Sequence, residues 1–125
     1  MDLAYAEALK AEKKDEVPVG AIIVLDGKII ARGHNLRESK NSVLGHAELV
    51  AILKASKKIK SWRLEDCDVY VTLEPCAMCA AALQQARVRR VYYGAADPKA
   101  GAVSLDLNLH AHAKLNHRYE MKFVE

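Results

Sequence analysis

The stretch Val69–Ala86, VYVTLEPCAMCAAALQQA, changes abruptly from one kind of secondary structure to another. Val69–Leu73 is β-branched and aromatic and predicts a short strand, whereas the alanine-rich Cys76–Ala86 predicts a helix. Val88–Tyr93 is strand-like again. Alternating strands and helices are typical of α/β domains, so this stretch decides the fold class.

A β-hairpin is the clearest local prediction upstream of that stretch. Val19–Leu25 and Lys28–Arg32 are apolar runs joined by Asp26-Gly27, which supplies the positive φ angles of a tight turn. A polar loop, HNLRESKNSVLG, follows the hairpin.

Two more helices are predicted around the hairpin. The first has Asp2 as its cap, runs to about Glu16 before Pro18, and places three residues on its apolar face, namely Leu3, Ala6 and Leu9. The second covers His46–Lys58. Its apolar residues at helical spacing are Leu49, Val50, Ile52 and Leu53, and the lysines outside this apolar face are Lys54, Lys57 and Lys58.

The last part of the chain predicts a short fourth helix and a final strand. Leu105, Leu109 and Ala113 indicate the helix, and Arg118–Val124 alternates as a strand does. The complete order implies a mixed sheet with helices on both faces, that is, a three-layer α/β/α architecture.

Composition limits the class of protein. The 125 residues, 51% of them hydrophobic and without an internal linker, predict one domain over residues 1–125. A net charge of +3 permits a nucleic-acid partner without indicating one. No apolar run approaches a membrane span and the first ten residues do not resemble a signal peptide, so we expect a cytoplasmic protein. Three cysteines make a poor disulfide framework.

Three residues predict an open zinc site. Cys76 and Cys79 share one face at the start of a helix, where the helix dipole favours thiolates, and His46 opens another helix. One nitrogen and two sulfur ligands suit a catalytic zinc ion, which keeps its fourth position for water. Cys67 lies upstream of the strand, so we expect it to be an inert thiol.

Glu48 lies two residues from His46 and is the expected proton carrier. Zinc lowers the pKa of its water towards about 7, so a nearby carboxylate can take the proton and return it to a leaving group. A thioredoxin-like redox pair would leave His46 and Glu48 unexplained, and a structural zinc site would need a further ligand. A histidine–x–glutamate motif with proline–cysteine–x–x–cysteine is the signature of zinc-dependent nucleobase deaminases.

The chain resembles the cytidine and deoxycytidylate deaminase superfamily and, within it, the bacterial tRNA-specific adenosine deaminases. The resemblance covers nearly all of the chain. The zinc motifs mark the superfamily. Two later segments, Gly94–Gly101 and Asn116–Arg118, narrow the resemblance to the tRNA enzymes. The matching segments are Val17–Ala21, Gly33–Asn35, His46–Glu48, Trp62–Leu64, Tyr70–Cys79, Arg90–Ala95, Asp97–Lys99 with Gly101, and Leu115–Arg118.

The resemblance implies a cytidine-deaminase-like fold with a five-stranded mixed sheet and conversion of adenosine to inosine at the wobble position of a tRNA anticodon. It also implies a homodimer with one zinc ion per chain, held by His46, Cys76 and Cys79, with Glu48 as catalytic residue. By the same resemblance Asn35 contacts the base. The positions matching contacts to the flanking RNA are Asp97, Lys99 and Asn116.

Two other functions stay open at this point. A deaminase of free guanine, cytosine or cytidine would use the same zinc and glutamate, although cytidine deaminases commonly carry cysteine at the position of His46. A catalytically silent, zinc-folded scaffold subunit is the other, and the intact Glu48 counts against it. Members of the family continue past the last strand into a further helix and a basic tail. We therefore expect either a truncated or minimised deaminase that acts on single-stranded nucleic acid, or a different substrate.

Overall fold

The computed structural model describes residues 1–124, and Glu125, the end of the predicted domain, lies outside the described residues. The elements alternate much as expected along the chain. In order they are α1 (Asp2–Glu12), β1 (Gly20–Leu25), β2 (Lys28–His34), α2 (Ala47–Ile59), β3 (Cys67–Val71), α3 (Ala77–Gln85), β4 (Arg90–Tyr93), a 3-10 turn (Leu109–Ala111) and β5 (Glu120–Phe123).

The five strands form one mixed sheet in the order β2-β1-β3-β4-β5. β1 is antiparallel to β2 and to β3, whereas β4 is parallel to β3 and to β5. The hairpin turn has the predicted conformation, since Asp26 and Gly27 have φ angles of 51° and 77°. The predicted fold class, an α/β fold with a five-stranded mixed sheet, is confirmed.

Two glycines show that helices cover both faces of the sheet. A Cβ atom on Gly20 would lie 2.1 Å from the Ala4 carbonyl oxygen of α1, and one on Gly33 would lie 2.6 Å from the Ala47 carbonyl oxygen of α2. Gly33 pairs with Ala21, the neighbour of Gly20, so the two glycines face opposite sides. The helices therefore lie on opposite faces, and the three-layer arrangement is confirmed.

The predicted apolar face of α1 is wrong. Leu3, Ala6 and Leu9 are exposed, and the buried residues are Ala4, Glu7, Ala8 and Ala11. The close approach at Gly20 leaves room only for small side chains, so alanines face the sheet. The helix also ends at Glu12 rather than near Glu16, and Met1, not Asp2, is its N-cap.

Close packing against the sheet also determines which residues of α2 are buried. Ala47, Ala51 and Ala55 of α2 are buried, whereas Leu53 is 57% exposed. The lysines at positions 54, 57 and 58 are exposed, as predicted. Alanine, which apolar periodicity underweights, marks the inner face of both helices.

The predicted fourth helix is wrong apart from the 3-10 turn. Residues 101–107 form successive hydrogen-bonded turns, and Asp106 has a φ of 59°, which a right-handed helix does not accommodate. Leu105 is 47% exposed, so no packing favours a helix there. None of the helices within residues 1–124 has the length and apolar character to cross a membrane.

A buried carboxylate connects α1 to the end of β2. Glu7 is 3% exposed, and its carboxylate lies 3.1 Å from Nδ1 of His34 and 2.6 Å from Nζ of Lys10. Burial alone would raise the pKa of Glu7, but the hydrogen bonds and charges of these partners lower it below its ordinary value of 4.5. This carboxylate holds the residue before Asn35 against the helix.

Substitutions on the two faces of α1 test the corrected packing. We predict that Ala8→Leu lowers the free energy of unfolding by about 1–3 kcal/mol, because the helix would have to move off the sheet. Leu9→Ala, at the neighbouring exposed position, should change it by less than about 0.5 kcal/mol. Chemical denaturation measures both changes. A loss of unfolding free energy for Leu9→Ala larger than that for Ala8→Leu would contradict the packing.

The Glu7 carboxylate predicts a pH-dependent contribution to stability. Because the folded-state pKa is lowered, the stabilisation is present above about pH 4.5 and is lost as the pH falls through that lowered pKa. The difference in unfolding free energy between the wild type and Glu7→Gln should therefore be larger near pH 6 than near pH 3. Glu12→Gln, an exposed change on the same helix, is the control. A difference that stays constant across this range would contradict the prediction.

Candidate metal centre and cavity

Two helix N-termini bring His46, Cys76 and Cys79 together. His46 is the N-cap of α2, Cys76 is the N-cap of α3, and Cys79 lies in the first turn of α3. The potential ligand atoms all lie within 4.8 Å of one another. Nδ1 of His46 is 3.7 Å from the Cys76 sulfur and 3.5 Å from the Cys79 sulfur. This group could hold a metal ion.

The spacing of these atoms fits zinc. Bonds of about 2.3 Å to sulfur and about 2.0–2.1 Å to nitrogen, at a tetrahedral angle, separate the two ligand atoms by about 3.6 Å. Both observed separations lie within 0.2 Å of that value. These distances are made by Nδ1 of His46, so Nδ1 would be the ligand atom if a zinc ion bound here; the sequence did not indicate which nitrogen faces the sulfurs.

Cys76 differs from both Cys67 and Cys79 in its tendency to ionise, because the hydrogen bond of Cys79 to the Cys76 sulfur, together with burial, raises the pKa of Cys79 above its ordinary value. The Cys79 thiol donates a hydrogen bond to the Cys76 sulfur, which together with the charge of His46 lowers the pKa of Cys76 to about 5. Cys67 is fully buried in β3, and burial raises the pKa of its thiol to about 11. Among the described residues Cys67 also lies outside the group of potential ligands, so it is suited to an inert role.

Glu48 lies in the first turn of α2 and is 4% exposed. Burial raises the pKa of its carboxyl to about 7. A carboxyl group that titrates near neutral pH can both accept and donate a proton there. Its location beside His46 and Cys76 puts that group next to the potential metal site.

A cavity of about 200 Å³ opens onto the His46–Cys76 pair. Asn35 contributes to its wall and is 8% exposed, with its Oδ1 accepting a hydrogen bond from the Arg37 backbone N–H at 2.9 Å. This bond fixes the orientation of the amide. The wall is formed by Val17, Val19, Asn35, Arg37, His46, Ala47, Glu48, Leu73, Glu74, Cys76, Asp97 and Ala100.

Of the other predicted substrate contacts, Asp97 lines this cavity and Lys99 is exposed on the same loop. Asn116 lies elsewhere, in a cavity that also includes Trp62 and Gln84. Gln84 is eight residues after Cys76 along α3, which places it about 12 Å along the helix from the metal group. Within the part of the chain that is described, Asn116 and the metal group are therefore not brought together.

Sequence reasoning missed Glu74 and Arg37, which both line the cavity. Glu74 is 3% exposed and accepts hydrogen bonds from the loop that carries Asp97. Burial alone would raise its pKa, but the Ser104 hydroxyl and backbone N–H groups lower it below the ordinary value. Its place between a strand and the proline of the zinc motif was the available signal.

Comparison with known proteins gives one consistent result. The model of a family described as MafB19-like deaminase matches residues 1–125. The chain is 49% identical over 121 residues to the tRNA-specific adenosine deaminase of Bacillus subtilis, covering 97% of this chain and 75% of the relative. It is also 49% identical over 117 residues to the tRNA-specific adenosine deaminase of Agrobacterium fabrum, covering 94% of this chain and 77% of the relative.

Solved structures agree with these relatives. A structure from work on A-to-I editing by tRNA:A34 deaminases superimposes with a TM-score of 0.93 at 46% identity, covering 99% of this chain and 95% of the other. The guanine deaminase of Bacillus subtilis superimposes with a TM-score of 0.74 at 36% identity, covering 85% of this chain and 65% of the other.

Proposed function

The chain belongs to the MafB19-like deaminase family, and from its relatives within that fold we infer that it is a zinc-dependent hydrolase that converts adenosine to inosine at the wobble position of tRNA anticodons. The relatives named tRNA-specific adenosine deaminase cover nearly the whole chain, and so does the tRNA:A34 deaminase structure. Guanine deaminase is more distant in both identity and TM-score.

The observation that carries this function is the juxtaposition of a nitrogen–sulfur–sulfur group with a buried glutamate in one cavity. His46, Cys76 and Cys79 would hold one zinc ion per chain. Zinc, when bound, supplies a Lewis acid that makes water nucleophilic at neutral pH. The chain's own residues then have to place the base and move the protons.

Glu48 is the group we assign to proton transfer. Deamination adds water at C6 of adenine and releases ammonia, so one proton leaves the attacking water and the departing amino group gains one. A carboxyl with a pKa of about 7 can accept the first proton and donate the second within one turnover. The burial that raises this pKa also keeps bulk water from competing for the proton.

Asn35 is the residue we assign to the base inside the cavity, and we assign Asp97, which also lines the cavity, to the RNA that flanks this base. Asn35 presents an amide whose orientation is held by the Arg37 N–H, and an amide can pair with the edge of a base. Lys99 and Asn116 are proposed to contact flanking nucleotides outside the cavity. An adenosine in an anticodon loop is already unpaired, so placing it near the metal costs little unstacking energy.

The remaining features are proposed on the family resemblance. We propose that residues 1–125 form one deaminase domain, that the protein works as a homodimer, and that it acts in the cytoplasm, where tRNA is processed. The alternative substrate is a free purine, since guanine deaminase shares the fold at 36% identity.

The function is tested by offering the purified, zinc-loaded protein several substrates in parallel. These are an anticodon stem-loop RNA with adenosine at the wobble position, single-stranded DNA, guanine, cytosine and cytidine. We expect inosine in the stem-loop, detected by mass. Glu48→Gln should lower this rate by at least about 10²-fold, because it removes the group that moves the protons.

Glu65→Gln, an exposed change of the same kind, is the control and should edit at the wild-type rate. Deamination of guanine or cytosine with an unedited stem-loop would contradict the tRNA function. Editing by Glu48→Gln at more than about a tenth of the wild-type rate would instead contradict the assignment of the proton carrier.

A further inference from the structure

Glu74 makes contacts that the proposed mechanism does not use. Its Oε1 accepts hydrogen bonds from the Asp97 backbone N–H at 3.1 Å and from the Ser104 hydroxyl at 2.6 Å. Its Oε2 accepts one from the Ser104 backbone N–H at 2.8 Å. One buried carboxylate therefore holds both ends of the segment 97–104, which we call the Asp97 loop.

The middle of the Asp97 loop packs closely against the same Glu74 carboxylate. A Cβ atom on Gly101 would lie only 2.1 Å from Oε2 of Glu74, so the loop approaches as closely as it does only with glycine at this position. Gly101 also forms an isolated β-bridge with Cys76, and the Ala102 N–H donates to the Pro75 carbonyl at 2.9 Å. The loop is thus attached to the backbone at the start of α3.

The Asp97 loop contributes two of the residues that line the cavity, Asp97 and Ala100. The Asp97 carboxylate in turn accepts hydrogen bonds from the N–H groups of Lys99 and Ala100, at 3.1 and 3.3 Å. The orientation of this wall depends on where Glu74 holds Asp97. Without those bonds the loop would keep its bridge to Cys76 but lose the contacts that fix its two ends.

We propose that Glu74 is a positioning residue, which holds the Asp97 loop against the cavity and thereby sets the affinity for the RNA substrate and not the rate of the chemical step. The proposal rests on the proposed function, because it takes RNA as the ligand that the loop meets. It assigns Glu74 a different role from Glu48, although both are buried glutamates on the cavity wall.

Glu74→Gln is the direct test. Glutamine keeps the shape but has one acceptor oxygen and turns an N–H₂ donor towards the loop donors, so at least one of the charge-assisted bonds is lost. We expect KM for the anticodon stem-loop to rise about tenfold or more and kcat to stay within about twofold. Zinc content, measured by elemental analysis, should equal that of the wild type.

Ser104→Ala is a milder variant that removes only the hydroxyl donor. It should raise KM by a smaller factor, about threefold, and it keeps the test usable if Glu74→Gln does not fold. Glu65→Gln is the matched control and should leave KM and kcat unchanged. A merely structural role for Glu74 would lower the amount of active enzyme, so it would lower the apparent kcat and leave KM unchanged.

A second measurement needs no substrate. The backbone N–H groups of Asp97 and Ser104 both donate to Glu74, so their hydrogen exchange, followed by NMR, should become about tenfold faster in Glu74→Gln. Exchange of N–H groups in β1 serves as the internal reference. Unchanged exchange at both positions would overturn the positioning role whatever the substrate is.

The kinetic outcomes are also decisive. A fall in kcat with unchanged KM, a loss of zinc, or wild-type kinetics in Glu74→Gln and Ser104→Ala would each overturn the proposal. If the wild-type protein edits no stem-loop, the proposed function fails and so does the link between Glu74 and RNA affinity. The exchange experiment then reports separately on whether Glu74 holds the loop.

Discussion

The structure depends on one constraint: a histidine nitrogen and two cysteine sulfurs from separate helices must meet within metal-binding distance. His46 and Cys76 are the N-caps of α2 and α3, so the first turns of both helices must converge. Each helix is brought there by its connection to the sheet. α2 packs onto β2 where Gly33 has no side chain, and α3 begins a few residues after β3 ends.

The buried glutamates show how the same residue type serves different purposes. Hydrogen-bond donors surround Glu7, Glu16 and Glu74, and the pKa of each is lowered, so these three stay charged and hold helices or loops in place. Burial dominates at Glu48 and raises its pKa to about 7. A buried carboxyl group with few hydrogen-bond donors around it is therefore suited to proton transfer. A buried carboxylate with many donors around it stays charged and holds the donor segments in place.

Sequence patterns predicted the fold class and the two cysteine ligands because both follow from local spacing, whereas His46, 30 residues before Cys76, was assigned from its motif with Glu48. Strand and helix periods gave the element order, and the spacing of Cys76 and Cys79 placed both sulfurs on one helix face. The inner faces of α1 and α2 were not predictable in this way, because alanines pack there against glycines of distant strands. Glu74 was missed for a similar reason, since its partners Asp97 and Ser104 are 23 and 30 residues away in the chain. The choice of Nδ1 in His46 depends on the same tertiary packing.

X-ray absorption at the zinc edge of the zinc-loaded protein tests the account of this centre most directly. An open site built on His46, Cys76 and Cys79 predicts two sulfur atoms at about 2.3 Å and two lighter atoms at about 2.0–2.1 Å from each zinc ion. Three or more sulfur neighbours, as in a closed site, or fewer than two sulfur neighbours would contradict this account of the zinc site.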